Sequence, residues 1–445
     1  MSNASLPNYL TMASPCPTDK RVSWAKSIAP TYAGIFLWVV FYKEIANNTL
    51  PQAGLALSLL GLVAAALICH FLFYLVPGLL GMGTGYPLYV VGSSTYGTVG
   101  GFLVPSLFMG LLQFGWLAVN IAVSTQFILQ AAGADPAPGS LPFVLISIVW
   151  GLAACFVGVL GMQYVAKIGS ILPLVPLVML LIVFFTNVGS AGSYKPVADA
   201  KPLAGFLAMI AGVVGFFASA GAAGVDISMG SRHSRDVQIG GLVGIVLAIV
   251  IAGGLPLIAI AGANAADPQL KSYVFNDVIK QQGGLLAKSM FILFTIASFA
   301  PAGVSSFIAA NSVGTMFPKV NKLLMVFFGA IISIILGATG VALDLQGMFG
   351  IIGASFGPIC GSMAADYLLS GCKWAGPREG INWAGYIAWL VGFVVALLPM
   401  VWGDTFGFIT PAPVIAFVIG FVLYAVLAKA GLEPRVVELS PAKSA

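Results

Sequence analysis

Residues 203–228 read LAGFLAMIAGVVGFFASAGAAGVDIS, a stretch in which Asp226 is the single charged side chain. As an α-helix it would extend about 39 Å, more than the roughly 30 Å hydrocarbon core of a bilayer. Lipid offers no partner for backbone N–H and C=O groups, so a spanning run of this kind has to be helical. Gly212, Gly215, Gly221 and Gly224 lie inside it. They admit two readings: close helix packing, or a helix broken near Ser219 so that freed backbone groups can bind something.

The same pattern extends in both directions. Apolar runs recur at 28–47, 53–76, 102–131, 142–161, 169–187, 239–263, 286–311, 322–341, 346–369, 382–402 and 408–428. Together with 203–228 they predict an all-α polytopic membrane protein of about twelve helices. Polar and Pro- or Gly-rich linkers, such as Asn47 to Pro51 and Asp135 to Gly139, punctuate them. Composition agrees, since 59% of the 445 residues are hydrophobic and 7% charged, against the usual quarter charged. Nineteen basic and fourteen acidic residues cannot coat a soluble particle of this length.

Several classes drop out. Cys16, Cys69, Cys155, Cys360 and Cys372 show no CxxC spacing, so neither a disulfide framework nor a zinc site is indicated. Basic residues stand singly between apolar runs, which speaks for membrane topology and against nucleic acid. The polar start through Thr18, Asp19, Lys20 and Arg21 lacks the features of a signal peptide, so the first run is expected to stay in the mature protein. Placing Lys20, Arg21, Lys26, Lys167, Arg232, Arg235, Lys319, Lys322, Lys373, Arg378, Lys429, Arg435 and Lys443 inside predicts cytoplasmic termini. A bacterial inner (plasma) membrane suits this reading.

Glycine and proline also crowd the tenth run, at Gly347, Gly350, Gly353, Gly357, Pro358 and Gly361. Interrupted helices in matching places of two halves are the mark of a secondary transporter with its site near the midplane. Runs one and six, five apart, fit a five-plus-five inverted repeat with broken helices 1 and 6. The expected division is a tail over 1–27, repeats over 28–187 and 203–369, two further helices over 382–428, and a tail over 429–445.

Certain motifs carry a resemblance. Gln113-Phe114-Gly115-Trp116 follows Leu103-Val104-Pro105-Ser106-Leu107, and Val213 to Gly221 includes Phe216, Phe217 and Ser219. Gly357-Pro358-Ile359-Cys360-Gly361 precedes Ala365-Asp366-Tyr367, and Thr84-Gly85 precedes Tyr96-Gly97. In order and spacing, from about residue 28 to 430, these resemble the nucleobase-cation-symport family of cytosine, hydantoin, allantoin and hydroxymethylpyrimidine carriers. The resemblance implies a twelve-helix inverted-repeat fold, sodium as co-substrate with proton as the alternative, and a planar heterocycle as substrate. Trp116 and Phe217 match the stacking positions, with Phe216 beside them. Gln113, three residues before Trp116 and so on the same helix face, would meet the substrate edge, as would Ser219 and Asn311. Ser305, Ser306 and the Ala302 carbonyl would coordinate sodium with carbonyls of the first helix near Phe36 and Val39. Phe307 stands where the relatives carry Asn, so hydrogen bonding to a cytosine-like edge is not carried over there.

A second departure is Lys43-Glu44, near the outer half of the first run. An interfacial pair would let Lys43 snorkel and Glu44 reach water. A functional one would have Glu44 recognise a cationic substrate group or carry a coupling proton. Asp226 and Asp366, near cytoplasmic helix ends, are expected to be gating or structural. His70 and His233 are far apart and read as packed or interfacial residues. The main rival is a carrier of amino acids or cationic amines with the same fold. An integral-membrane enzyme is disfavoured because Glu44, Asp226, Asp344 and Asp366 are dispersed, and no filter sequence or charge ring suggests a channel.

Overall fold

The computed structural model describes residues 6–159, 172–316 and 321–439, which form helices joined by short loops, with two isolated β-bridges. Lys167, Lys319 and Lys443 lie outside the described residues. Among those described, nine helices are long and apolar enough to cross a membrane, and they correspond to runs two, three, five to eight and ten to twelve. Runs four and nine appear as the shorter apolar helices Leu141–Phe156 and Leu324–Ala338.

Run one is split in two. Helix α1 (Ile28–Phe36) ends at Leu37, Trp38 is extended (φ −70°, ψ 128°), and α2 (Val39–Lys43) resumes beyond it. No Gly or Pro sits at this break. Phe36 on one side and Trp38 on the other are instead anchored by aromatic neighbours on other helices. The first half continues with α3 (Leu50–Thr84), α4 (Leu88–Gly101), α5 (Phe108–Ala132), α6 (Leu141–Val159) and α7 (Leu174–Ala191). Helix α4 bends at Gly97 (φ 85°), where the backbone of Gly380 approaches so closely that a Cβ could not fit.

The second half begins with α8 (Pro202–Ala222) and α9 (Gly224–Ser228). The expected unwinding at Ser219 is not found: Ser219 lies within α8, and the interruption is the single residue Ala223, four positions later. Even Ala223 keeps right-handed dihedrals (φ −64°, ψ −8°), and its N–H still donates to the Ser219 carbonyl at 2.9 Å. The glycines of this run serve packing. A Cβ on Gly215 would lie 2.6 Å from the Phe349 carbonyl, and one on Gly221 would lie 2.9 Å from that of Phe73.

Then follow α10 (Ser234–Ala266), the short α11 (Phe275–Gln281), α12 (Gly284–Ala297), α13 (Phe299–Met316), α14 (Lys322–Ala338), α15 (Leu345–Leu369), α16 (Trp383–Val401) and α17 (Ala412–Leu427). Between α12 and α13 the helical ladder continues through Ser298 (φ −66°, ψ −15°), whose N–H donates to the Phe294 carbonyl at 3.0 Å and whose carbonyl also accepts from Asn120 Nδ2 of α5 at 3.0 Å. Likewise, α15 runs unbroken through Pro358, and its glycines form a face against α17. A Cβ on Gly357 would lie 2.7 Å from the Pro413 carbonyl, and one on Gly361 would collide with the carbonyl of Phe417. The contact is backbone against backbone, which no side-chain rotation can relieve. Gly361→Ala is therefore expected to destabilise the protein by about 1–3 kcal/mol, read as a lower unfolding midpoint in detergent, whereas Gly189→Ala, with open space around it, should leave the midpoint in place.

Candidate functional site

The break in the first helix puts Trp38 edge-on to Trp116 of α5 with ring centroids 5.4 Å apart. Trp116 in turn meets Phe216 of α8 at 5.1 Å, also edge-on, and Phe349 of α15 lies 5.3 Å from Phe216 and 6.1 Å from Trp116. Phe36 and Phe41, from either side of the break, close the far side of Phe216 at 6.2 and 5.2 Å. Four separate helices thus converge on one aromatic cluster without a charged residue among its members. Such edge-to-face pairs fall in the favourable range of separations.

This geometry shifts one sequence assignment by a residue. Phe216, not Phe217, faces Trp116. Phe217 is fully buried on the other side, stacked on Phe36 at 5.7 Å and tilted against Tyr32, whose hydroxyl donates to the Ala220 carbonyl. Neighbouring helical residues point about 100° apart, so the two rings cannot serve one slot. Gln113 is half-buried one turn before Trp116, and its amide has only a weak 3.7 Å contact to Met109 Sδ. The buried Ser219 hydroxyl has no hydrogen bond among the described residues. The side chain of Asn311 lies outside the described residues.

The expected sodium ligands separate into two groups. Ser306 Oγ donates to the Ala302 carbonyl at 2.9 Å and lies beside Cys155 of α6. Ala302 packs among Leu117, Trp150, Ala154 and Ile334. Phe36 and Val39 belong to the central cluster instead. Ala302 and Ser306 are therefore not brought to the first-helix break, because their face of α13 is taken up by α5, α6 and α14. Ser305, buried and without a hydrogen bond among the described residues, is the hydroxyl of the set left unengaged.

Lys43 does not snorkel. It is 5% exposed, donates to Gln126 Oε1 of α5 at 2.8 Å, and stands 3.7 Å from the carboxylate of the more exposed Glu44. Above this pair α11 lies across the outer ends, with Phe275 edge-on to Tyr42 at 5.3 Å and Asn276 Nδ2 donating to Gln130 Oε1 at 3.2 Å. Burial raises the Asp277 pKa, but the Ser272 hydroxyl and Lys280 outweigh it and hold the carboxyl below its ordinary value. What Asp277 adds to this cover is thus present at neutral pH and is lost as pH falls through its lowered pKa.

At the other end the N-terminal segment crosses the helix ends. Arg21 donates to the Met82 carbonyl at 2.9 Å, the Trp24 N–H to Asp236 at 3.1 Å, and Ser27 Oγ to the Ile227 carbonyl at 3.1 Å. Arg232 and His233 pair with Asp236 rather than with Asp226, and Asp226 instead accepts the Leu88 N–H at the start of α4. Asp366 is 4% exposed and pairs with Arg378 at 2.8 Å, with Ser94 and Thr95 hydroxyls donating to its second oxygen. A cavity of about 440 Å³, lined in part by Leu80, Thr84, Tyr86, Tyr367 and Trp374, opens between these helix ends. It is remote from the aromatic cluster, which its own side chains fill.

No family model matches the chain. The cytosine permease of Escherichia coli strain K12 is 27% identical over 327 residues, 71% of this chain and 72% of that protein, and the permease of the O157:H7 strain matches over the same extent. Among solved structures, the nucleobase-cation-symport-1 family transporter Mhp1, closed with bromovinylhydantoin bound, superposes with a TM-score of 0.71 at 16% identity over 96% of each chain. In sequence and in fold the chain is similar to transporters of the nucleobase-cation-symport family. The inward-facing conformation of Mhp1 superposes with a TM-score of 0.73 at 14% identity over 98% of this chain and 97% of that one. An outward-open Na⁺-coupled sialic acid symporter gives 0.58 at 13% identity, over 98% and 95%. These relatives are transporters rather than enzymes, and the described helices of this chain are those of a multi-pass membrane protein. Trp38 and Phe349 were missed in the sequence; a Trp at the middle of a run, beside a break, was the available signal for the first.

Proposed function

We propose that this symporter imports an uncharged planar heterocycle, of the nucleobase or hydantoin class, stacked between Trp116 and Phe216. The observation that carries the reading is the edge-on packing of these two rings at the depth of the first-helix break. Each stacked ring pair needs about 4.5–7 Å between centroids, so a heterocycle enters only when Trp116 and Phe216, now 5.1 Å apart, move aside. Gln113 and Ser219, whose polar groups have no strong partner, would then meet the substrate edge, with Asn311 as a further member. The setting is an inner membrane with both termini in the cytoplasm, and the two five-helix repeats would rock about this site.

Sodium is the proposed co-substrate, held by the Ser305 hydroxyl and carbonyls near Phe36 and Val39 once the two groups approach. By linkage, sodium then raises substrate affinity and substrate raises sodium affinity by the same factor. The test is thermal stabilisation of purified protein by cytosine, hydantoin, pyrimidine alcohols and amino acids, in sodium and in potassium. A heterocycle that stabilises more in sodium supports the reading; stabilisation by amino acids or amines alone sinks it. The Lys43-Glu44 pair favours a second reading, proton coupling. Under it, Glu44→Gln would flatten the pH dependence of uptake by tenfold or so, while under sodium coupling the profile of the variant matches the parent.

A further inference from the structure

The indole N–H of Trp38 is buried and has no hydrogen-bond partner. Buried polar groups are ordinarily paired, and a buried Trp N–H nearly always finds an acceptor. The residue is 9% exposed, stands in the extended backbone between α1 and α2, and touches Trp116 edge-on. In the helix that follows, the Tyr42 hydroxyl is likewise buried and without a partner among the described residues. Two unmet donors therefore stand at and just beyond the break, the first of them inside the aromatic cluster.

We infer that Trp38 is a substrate-binding and specificity-determining residue, whose N–H donates to a ring carbonyl oxygen on the rim of the heterocycle, the one flanked by two ring nitrogens. The inference rests on the reading of the Trp116–Phe216 site. It adds a chemical requirement: the ring presents an acceptor toward the break in the first helix, and a ring or amine without one is discriminated against. An aromatic slot alone selects flat rings but hardly distinguishes one from another, whereas a buried donor left unpaired by the wrong ligand does. The closed packing around Trp38 leaves the N–H unsatisfied, so a ligand with the right acceptor repairs a defect that the empty protein carries.

The experiment compares wild type, Trp38→Phe and Trp116→Ala for thermal stabilisation by two matched pairs of ligands, cytosine with 4-aminopyrimidine and hydantoin with 4-imidazolidinone. Each second member lacks one ring carbonyl. Trp38→Phe keeps an aromatic ring and removes the donor. The expected result is that, for at least one pair, wild type prefers the carbonyl-bearing member by about tenfold and Trp38→Phe erases that preference. Should Trp38→Phe fail to purify, Trp38→Tyr, which moves the donor out of place, is read the same way. A preference unchanged in the variant, or absent from wild type, overturns the inference while stacking survives, provided Trp116→Ala abolishes stabilisation. If neither pair stabilises wild type, the heterocycle reading falls and this inference with it.

Discussion

Trp116→Ala is expected to weaken heterocycle binding by about 100-fold and to abolish measurable uptake at micromolar substrate. Trp116 is 7% exposed and touches Trp38, Phe216 and Phe349. Removing it deletes one wall of the slot, with a stacking contribution of about 0.5–1.5 kcal/mol beyond the buried area lost from the ligand. Truncating a buried Trp also costs about 3–5 kcal/mol of stability, so binding must be read against the unfolding midpoint of the ligand-free variant. The companion pair is sharper. Phe216→Ala should reproduce most of the loss in binding, whereas Phe217→Ala should lower stability and leave ligand affinity within a few-fold of wild type. Equal ligand effects at both positions would return Phe217 to the slot.

The second large effect concerns Asp366 and Arg378. Both are 4% exposed, and they are joined at 2.8 Å. Ser94 and Thr95 hydroxyls complete the carboxylate, and Glu433 lies 3.0 Å from the other guanidinium nitrogen while accepting from the Tyr424 hydroxyl at 2.6 Å. This network ties α4, which precedes the third span, to the end of the tenth and to the chain beyond the twelfth. Asp366→Ala leaves a buried guanidinium with part of its partners gone, and a loss of about 3–5 kcal/mol is expected. Asp366→Ala combined with Arg378→Met should cost less than the sum of the two single changes, because neither charge is then left unpaired. Additive losses in a double-mutant cycle would show that the two residues act independently.

Asp366 and Arg378 also illustrate where sequence reading stops. The acid was expected to be structural or gating from its place at a helix end, but its partner lies in a loop and could not be singled out among the basic residues expected on the cytoplasmic side. Lys43 shows the converse. Its place toward the end of the first run is legible in the sequence, yet whether a side chain turns outward to water or inward to Gln126 depends on a helix far away in the chain.

The membrane class, most of the spans and the family resemblance followed from the chain alone, since long apolar runs have one solution in lipid, and ordered motifs such as Gln113 to Trp116 survive as local strings. Where the helices break was settled only in the tertiary structure. Glycine lowers the cost of a break and of a close contact alike, so Gly212 to Gly224 and Gly347 to Gly361 could not say which they served. The packed chain uses them mainly for contact, and it breaks at Trp38, where no glycine marks the place. Neighbours supply the reason: aromatic anchors hold Trp38. The same holds for the facing ring, because Phe216 and Phe217 are chemically alike and only the rotation of one helix against another brings Phe216 to Trp116.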